Sequence, residues 1–270
     1  MRISTYYKKI NVPTKYVFVL LFLILFSELY SQNPCSFLAD SSSFDSVKTR
    51  SLTADIQLNQ FLKNNEYYSP IVEGYTLFGF ASRAGLSYFP IERCKVHAGF
   101  ALLKYHGANA FEYIVPDVSI YYKASKSFFM IMGSLPEQVA HRMSPMLYED
   151  EAFVTKKPEN GLEFLLDKKH VYSDTWVSWN NYLHYNEDSQ EAFFIGQAFE
   201  FKPVAVGAFR VSVPVQLTAH HKGGQINASP KSIKMIYNNA CGINTHFVVS
   251  KNIFGAEYLF LGYKDASSNH

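Results

Sequence analysis

Between residues 206 and 221 the chain alternates strictly. Phe209, Val211, Val213, Val215 and Leu217 fall on one side of an extended segment, with Arg210, Ser212, Gln216 and Thr218 on the other. Successive side chains of a strand point to opposite faces, so the pattern predicts a β-strand with one apolar and one polar face. In 113–125, Val118, Ile120 and Tyr122 oppose Asp117, Ser119, Tyr121 and Lys123. In 95–104, Val96, Ala98, Phe100 and Leu102 oppose Lys95, His97, Gly99 and Ala101. In 238–249, Cys241, Ile243, Thr245, Phe247 and Val249 oppose Ala240, Gly242, Asn244 and His246. The pattern predicts eleven strands, at 73–80, 83–90, 94–104, 113–124, 127–134, 159–166, 170–183, 191–201, 204–218, 234–249 and 253–263. No long helix, internal repeat or Gly-rich phosphate loop accompanies them.

Length decides whether the apolar faces meet a protein core or lipid. A globular strand has about 5–6 residues. The segment 204–218 would extend ~50 Å at ~3.3 Å per residue, or ~35 Å of rise at a ~45° tilt, enough for a bilayer with its headgroup margins. The links point the same way. After the second strand they run "IER", "YHGANAFE", "AS", a 26-residue link from Ser134 to Glu159, "DKK", "HYNEDSQ", "KP", "AHHKGGQINASP" and "SKN". Short and long links alternate, which segregates tight turns to one rim and long loops to the other, as in outer-membrane barrels. Tyr88, Tyr105, Tyr113, Tyr121, Tyr122, Phe128, Tyr182, Phe201 and Tyr263 collect near strand ends, where an aromatic girdle would sit at headgroup depth. Pro203 suits a turn, and Pro214 predicts a bulge or an edge.

Composition changes this picture only at the start of the chain. Lys8, Lys9 and Lys15 precede the apolar "YVFVLLFLILF" at 16–26, which as a helix spans only ~16 Å, about half a hydrocarbon core. Residues 1–31 therefore read as a secretory signal cleaved before Gln32. Residues 32–72 read as a periplasmic leader, Ser- and Asp-rich at first and then a short helix or an approach to the first strand, with the barrel at 73–270. The net charge of +2 includes +3 from Arg2, Lys8, Lys9, Lys15 and Glu28, so the remainder carries −1 and offers nucleic acid no electrostatic footprint. Cys35, Cys94 and Cys241 show no metal-like spacing, and Cys241 on an apolar face reads as a small hydrophobe.

The signal segment, the long alternating strands from Glu73 to Tyr263, the short/long linkage and the stretch "NNEYYSPIVEGYTLFGF" at 64–80 together resemble the porin-like outer-membrane β-barrel proteins of Gram-negative bacteria. The resemblance covers most of the mature chain but carries no diagnostic catalytic or substrate motif. It implies an all-β, antiparallel up-and-down transmembrane barrel in the outer membrane, passage of small solutes, contact with outer-membrane lipid, and handling by the barrel-assembly machinery. Such barrels have even strand numbers and finish on a terminal aromatic. Eleven strands and an end reading "YKDASSNH" therefore imply either a different strand count or missing closing strands, the second being the favoured expectation.

The residues expected to line a lumen are those on polar faces: Arg83, Lys95, His97, Asp117, Lys123, Glu163, Asp174, Arg210, Gln216 and Glu257. Both charge signs occur, so strong ion selectivity is not expected, and the 26-residue link is long enough to fold inward as a constriction. A lipid hydrolase at the outer rim would draw on His106, His141, His220, His221, Ser134 or Ser144. No triad spacing joins them, so an enzyme is not expected, nor is a cofactor or metal. A soluble β protein with a ligand cavity and a poreless structural or surface-binding barrel are the alternatives.

Overall fold

The computed structural model describes residues 49–66, 73–136, 139–149, 151–185, 187–224, 231–250 and 252–267. The signal segment, Cys35 and the Ser-rich start of the leader lie outside the described residues.

Eleven strands form one antiparallel sheet in chain order: β1 (Ser51–Asn65), β2 (Tyr75–Ile91), β3 (Cys94–Tyr105), β4 (Tyr113–Ser125), β5 (Phe128–Ser134), β6 (Asn160–Asp167), β7 (Val171–Asn181), β8 (Ala192–Val206), β9 (Phe209–Lys222), β10 (Lys234–Val249) and β11 (Asn252–Asp265). Each strand pairs with its sequence neighbours, and among the described residues β1 and β11 are the two edges. The strand number equals the one expected, but two differences cancel. The sheet begins at Ser51, inside the stretch expected to be leader. Leu52, Ile56, Leu58 and Leu62 alternate outward there, but Leu58, Phe61 and Leu62 also carry helical spacing, which masked the period of two. Conversely, 73–80 and 83–90 are one strand, β2. Its small residues at Ala81, Ser82 and Gly85 resemble a turn, but β2 stays in register with β1 across all of them.

The expected turn at Lys202–Pro203 is also displaced. β8 runs on to Val206 with a register shift between Phe201 and Val204, and the chain reverses at Gly207–Ala208, where Gly207 takes φ +55°. Pro214 sits inside β9, between two partners rather than at an edge. The β9–β10 ladder lapses from Val215–Cys241 to Ser212–Asn244 without losing register, because Pro214 has no N–H to give.

All short links, such as Glu92–Arg93 and Gly207–Ala208, lie at one rim, the turn rim, and all long ones at the other, the loop rim. The two faces are opposite in character. Ile56, Phe100 and Leu217 are 79%, 61% and 50% exposed, whereas Ser119, Glu163, Ser178 and Thr218 on the other face are buried. Water would impose the reverse distribution. The sheet is inverted, and its outer face suits hydrocarbon.

What buries the polar face is the long link between β5 and β6. It enters the concave side of the sheet through a single 3-10 turn, Val139–Arg142, and a one-turn helix α1 (Ala152–Thr155). Its Leu135, Met143 and Leu147 form one cluster with Ile131 of β5, Tyr172 and Trp176 of β7, Phe194 and Ala198 of β8 and Ala240 of β10, flanked by Leu259 of β11. The same segment reaches the opposite end of the sheet, where Glu151 meets Lys63 of β1 and Tyr75 of β2. One loop touching β1, β2, β10 and β11 requires the sheet to curl around it. At Gly196 of β8 an added Cβ would lie 2.2–2.6 Å from ring atoms of the buried Trp176. Gly196→Ala should therefore displace that ring and destabilise the fold by about 1–3 kcal/mol, read as a lower denaturant midpoint of the detergent-folded protein.

Candidate functional site

Three groups of chemically capable side chains are assembled by the curl. The first is central. His141 lies in the 3-10 turn at φ +45° and is buried, its ring stacked on Trp176 at 3.6 Å between centroids. Its Nδ1 is 2.9 Å from Oδ2 of Asp174 and 3.9 Å from Oε1 of Glu163, while Nε2 is 3.8 Å from Oε2 of Glu159. Tyr148 packs edge-on against the imidazole and donates to Glu159 Oε1 at 2.8 Å. Glu163 and Trp176 face each other across β6–β7, and Asp174 lies two residues further toward the turn rim, so two strands and the loop supply the group.

The second group spans β1–β4 on the same inner face. Arg83 clamps Asp117 with two bonds of 2.6 Å and donates to the Leu135 carbonyl of the long loop at 3.3 Å. His97 lies with Nε2 3.6 Å from Asp117 and Nδ1 3.0 Å from the Ser87 hydroxyl, which donates to Asp55. A hydroxyl, an imidazole and a carboxylate thus stand in series, but Ser87 and Asp117 are each only 1% exposed. Their hydrogen bonds are spent on one another and, through Arg83, on the loop.

The third group lies at the loop rim of β7–β10 and faces outward. The registers place Trp179, Phe193, His221 and Met235 in a single transverse row on the outer face. Trp179 donates through Nε1 to Glu191 at 3.0 Å, and Phe193 stacks on His221 at 4.5 Å. Nε2 of His221 donates to the Gly223 carbonyl at 2.6 Å, so the neutral ring keeps its Nδ1 lone pair for an incoming proton. The next row toward solvent pairs Lys222 with Lys234, two exposed residues on the opposite, inner face.

Of the residues expected to line a lumen, five fall in these groups and five lie outside them. Arg83, His97 and Asp117 come together, as do Glu163 and Asp174. Lys95 lies over the Tyr121 ring at 4.0 Å and Lys123 over Phe129 at 5.9 Å. Gln216 is buried and accepts from the Ser144 backbone N–H of the loop at 2.8 Å. It shares a cavity of about 250 Å³ with Arg142 and Glu257. Arg210 borders a basic cavity of about 420 Å³ at the turn rim with Lys169, His170, Lys202 and His246.

Of the rim residues weighed for hydrolysis, His106 packs against Phe78 at 4.3 Å, and Ser134 donates to Asn160 at 3.0 Å. His220 and His221 end β9 rather than lying in a loop, and they face opposite sides. Sequence reasoning missed Asp55, Ser87, Glu159 and Glu191, and the alignment of His221 with Trp179 and Phe193. Only the strand registers could have revealed them. Cys94 and Cys241 are free thiols.

Residues 44–270 match the family described as lipid A 3'-O-deacylase-type, and no curated protein matches the chain. The chain belongs to that family, whose members are associated with the bacterial outer membrane. This overturns the porin-like resemblance, the expected solute passage and the expectation that the protein is not an enzyme: the family is one of hydrolytic outer-membrane enzymes. The error has a physical cause. Alternation, strand length and rim asymmetry are demands of the bilayer and are shared by barrels that conduct and barrels that catalyse.

Outside the strands, burial by itself would raise the Glu151 carboxyl, but hydrogen bonds from Lys63 and Tyr75 outweigh it and hold the group below its ordinary value. A depressed carboxyl stabilises the folded state at neutral pH, and that contribution is lost as pH falls through the folded-state value. Between pH 6 and pH 3, hydrogen-exchange protection of 151–157, corrected for intrinsic rates, should drop in the wild type and drop less in Glu151→Gln.

Proposed function

We propose that the protein hydrolyses an ester-linked acyl chain of lipid A in the outer leaflet of the outer membrane. The observation that carries this reading is the family match over 44–270. The inverted sheet supports it, as does the position of His221. We read the sheet as the wall of a closed barrel, since unpaired edge groups of β1 and β11 would cost several kcal/mol each in lipid. Tight turns of such barrels are periplasmic and long loops external, which puts the loop rim at the leaflet where lipid A resides.

The substrate dictates where the chemistry can occur. Lipid A is an amphiphile whose esters lie at headgroup depth, with phosphates above and acyl chains below. The two inner groups are screened from it by the wall and by the long loop. The outer row at the loop rim is not. Trp179, 45% exposed, with Phe193 and Met235, offers an apolar bed for acyl chains.

In the same outer row, His221 Nδ1 acts as general base. It takes a proton from a water that adds to the ester carbonyl carbon, and the resulting tetrahedral intermediate collapses as the imidazolium returns the proton to the sugar oxygen. One water is consumed, and a fatty acid and a sugar hydroxyl are released. The hydrogen bond to Gly223 fixes the tautomer in which Nδ1 is free to accept, and the Phe193 stack fixes the ring plane.

General-base catalysis typically contributes about 10²–10⁴-fold. Expression in cells with unmodified lipid A should yield species lacking one acyl chain by mass spectrometry, and His221→Ala should slow this by ~100-fold or more. His220→Ala, altered on the opposite face, should keep most of the rate. A folded wild-type protein that leaves lipid A intact would overturn the activity. Loss in His220→Ala with retention in His221→Ala would instead move the site to the inner face.

A further inference from the structure

The central group around His141 is better built than a structural contact requires. Three donor atoms, from His141, Glu163 and Asp174, converge within 4.8 Å of one another, and all three residues are buried. Two carboxylates at 0% exposure are brought to the same ring nitrogen, with the Glu159 carboxylate at the other end of the ring. An apolar surround of Trp176, Leu147 and Phe194 shields them from water. Buried carboxylates held this close need a compensating positive charge or a shared proton, and a cation supplies the first. Independently, Asp174 Oδ1 is buried and accepts no hydrogen bond. Tyr172 and His141 both address the other oxygen.

We propose that His141, Glu163 and Asp174 bind a divalent transition-metal cation, with Zn²⁺ the best match, that clamps the long loop to β6 and β7. A mixed nitrogen and oxygen donor set suits Zn²⁺, whereas Ca²⁺ and Mg²⁺ take oxygen ligands. Bonds of about 2.0–2.2 Å place neighbouring donors roughly 3–3.5 Å apart around a common ion. The 2.9 Å and 3.9 Å separations of Asp174 and Glu163 from Nδ1 bracket that spacing. Nδ1 is then the ligating atom, and Nε2–H points toward Glu159, the carboxylate partner that metal-bound histidines usually have on their second nitrogen. Tyr148, donating to Glu159, holds that carboxylate in turn. Arg142 stacks over Tyr172 at 3.9 Å beside the site and reaches Asp167, so the loop is gripped on both sides of the ion. The site is independent of the proposed ester hydrolysis, which takes place on the other face of the wall.

The chain has two tryptophans, and only Trp176 stacks on His141. In a Trp179→Phe background, emission therefore reports this site alone. The detergent-folded mature chain, stripped with chelator and dialysed, should take up one Zn²⁺ per molecule by elemental analysis and change its Trp176 emission in step. His141→Gln, Glu163→Gln and Asp174→Asn should each weaken binding by at least ~100-fold. Glu159→Gln, acting through the ring, should weaken it by roughly 10–100-fold. Replacing both His220 and His221 by Ala should leave uptake unchanged. Failure of the folded Trp179→Phe protein to bind Zn²⁺ would overturn the proposal even if the ligand variants do not fold. Stoichiometric uptake that persists in all three ligand variants, or that vanishes with His220 and His221, would overturn it as well. Lipid A turnover is read separately, so either outcome leaves the hydrolysis reading standing on its own test.

Discussion

Hydrocarbon cannot hydrogen-bond a peptide group, and from that constraint the whole arrangement follows. Every backbone donor and acceptor of a membrane wall must be spent on a neighbouring strand. Here eleven strands pair in sequence order from β1 to β11. Strands that face lipid on one side must then place their polar side chains on the other, so residues such as Ser119, Glu163, Asp174 and Thr218 are buried while Ile56 and Phe100 are exposed. The fold is driven less by an apolar centre than by the need to satisfy what the inward face carries.

The long link between β5 and β6 meets that need. It brings Leu135, Met143 and Leu147 to the aromatic side chains of β7 and β8. It also brings His141 to Asp174, the Leu135 carbonyl to Arg83 and the Ser144 N–H to Gln216. A single segment thus ties charges and amides on three strands to one another. On the proposed reading, chemistry on a membrane lipid falls to the outer face. At the loop rim of β7–β10, an imidazole hydrogen-bonded through Nε2 lies in an outward-facing row with Trp179, Phe193 and Met235.

The class of the fold was legible because its cause is local. A period of two survives in any window of ten residues, and rim asymmetry can be read from link lengths alone. Boundaries were lost where local signals compete. Leu58, Phe61 and Leu62 carry a helical spacing inside β1, the small residues of β2 resemble a turn, and Lys202–Pro203 invited a reversal that Gly207 makes instead. The porin-like function was misread for a related reason. Patterning reports the solvent on each face of a strand, and channels and hydrolases share that solvent.

What the sequence by itself determined is therefore the identity of each strand's two faces and the side of the sheet on which each loop emerges, since both depend on residues adjacent in the chain. Only the tertiary structure decided which polar residues meet. His141 reaches Asp174 across 33 positions, and Gln216 reaches Ser144 across 72. Trp179, Phe193, His221 and Met235 share a row through three registers that turn geometry sets. A one-residue slip in any of them would send its strand's side chains to the opposite face. Periodicity carries no record of register, so the sites became visible only once the strands were paired and the long loop was folded inside.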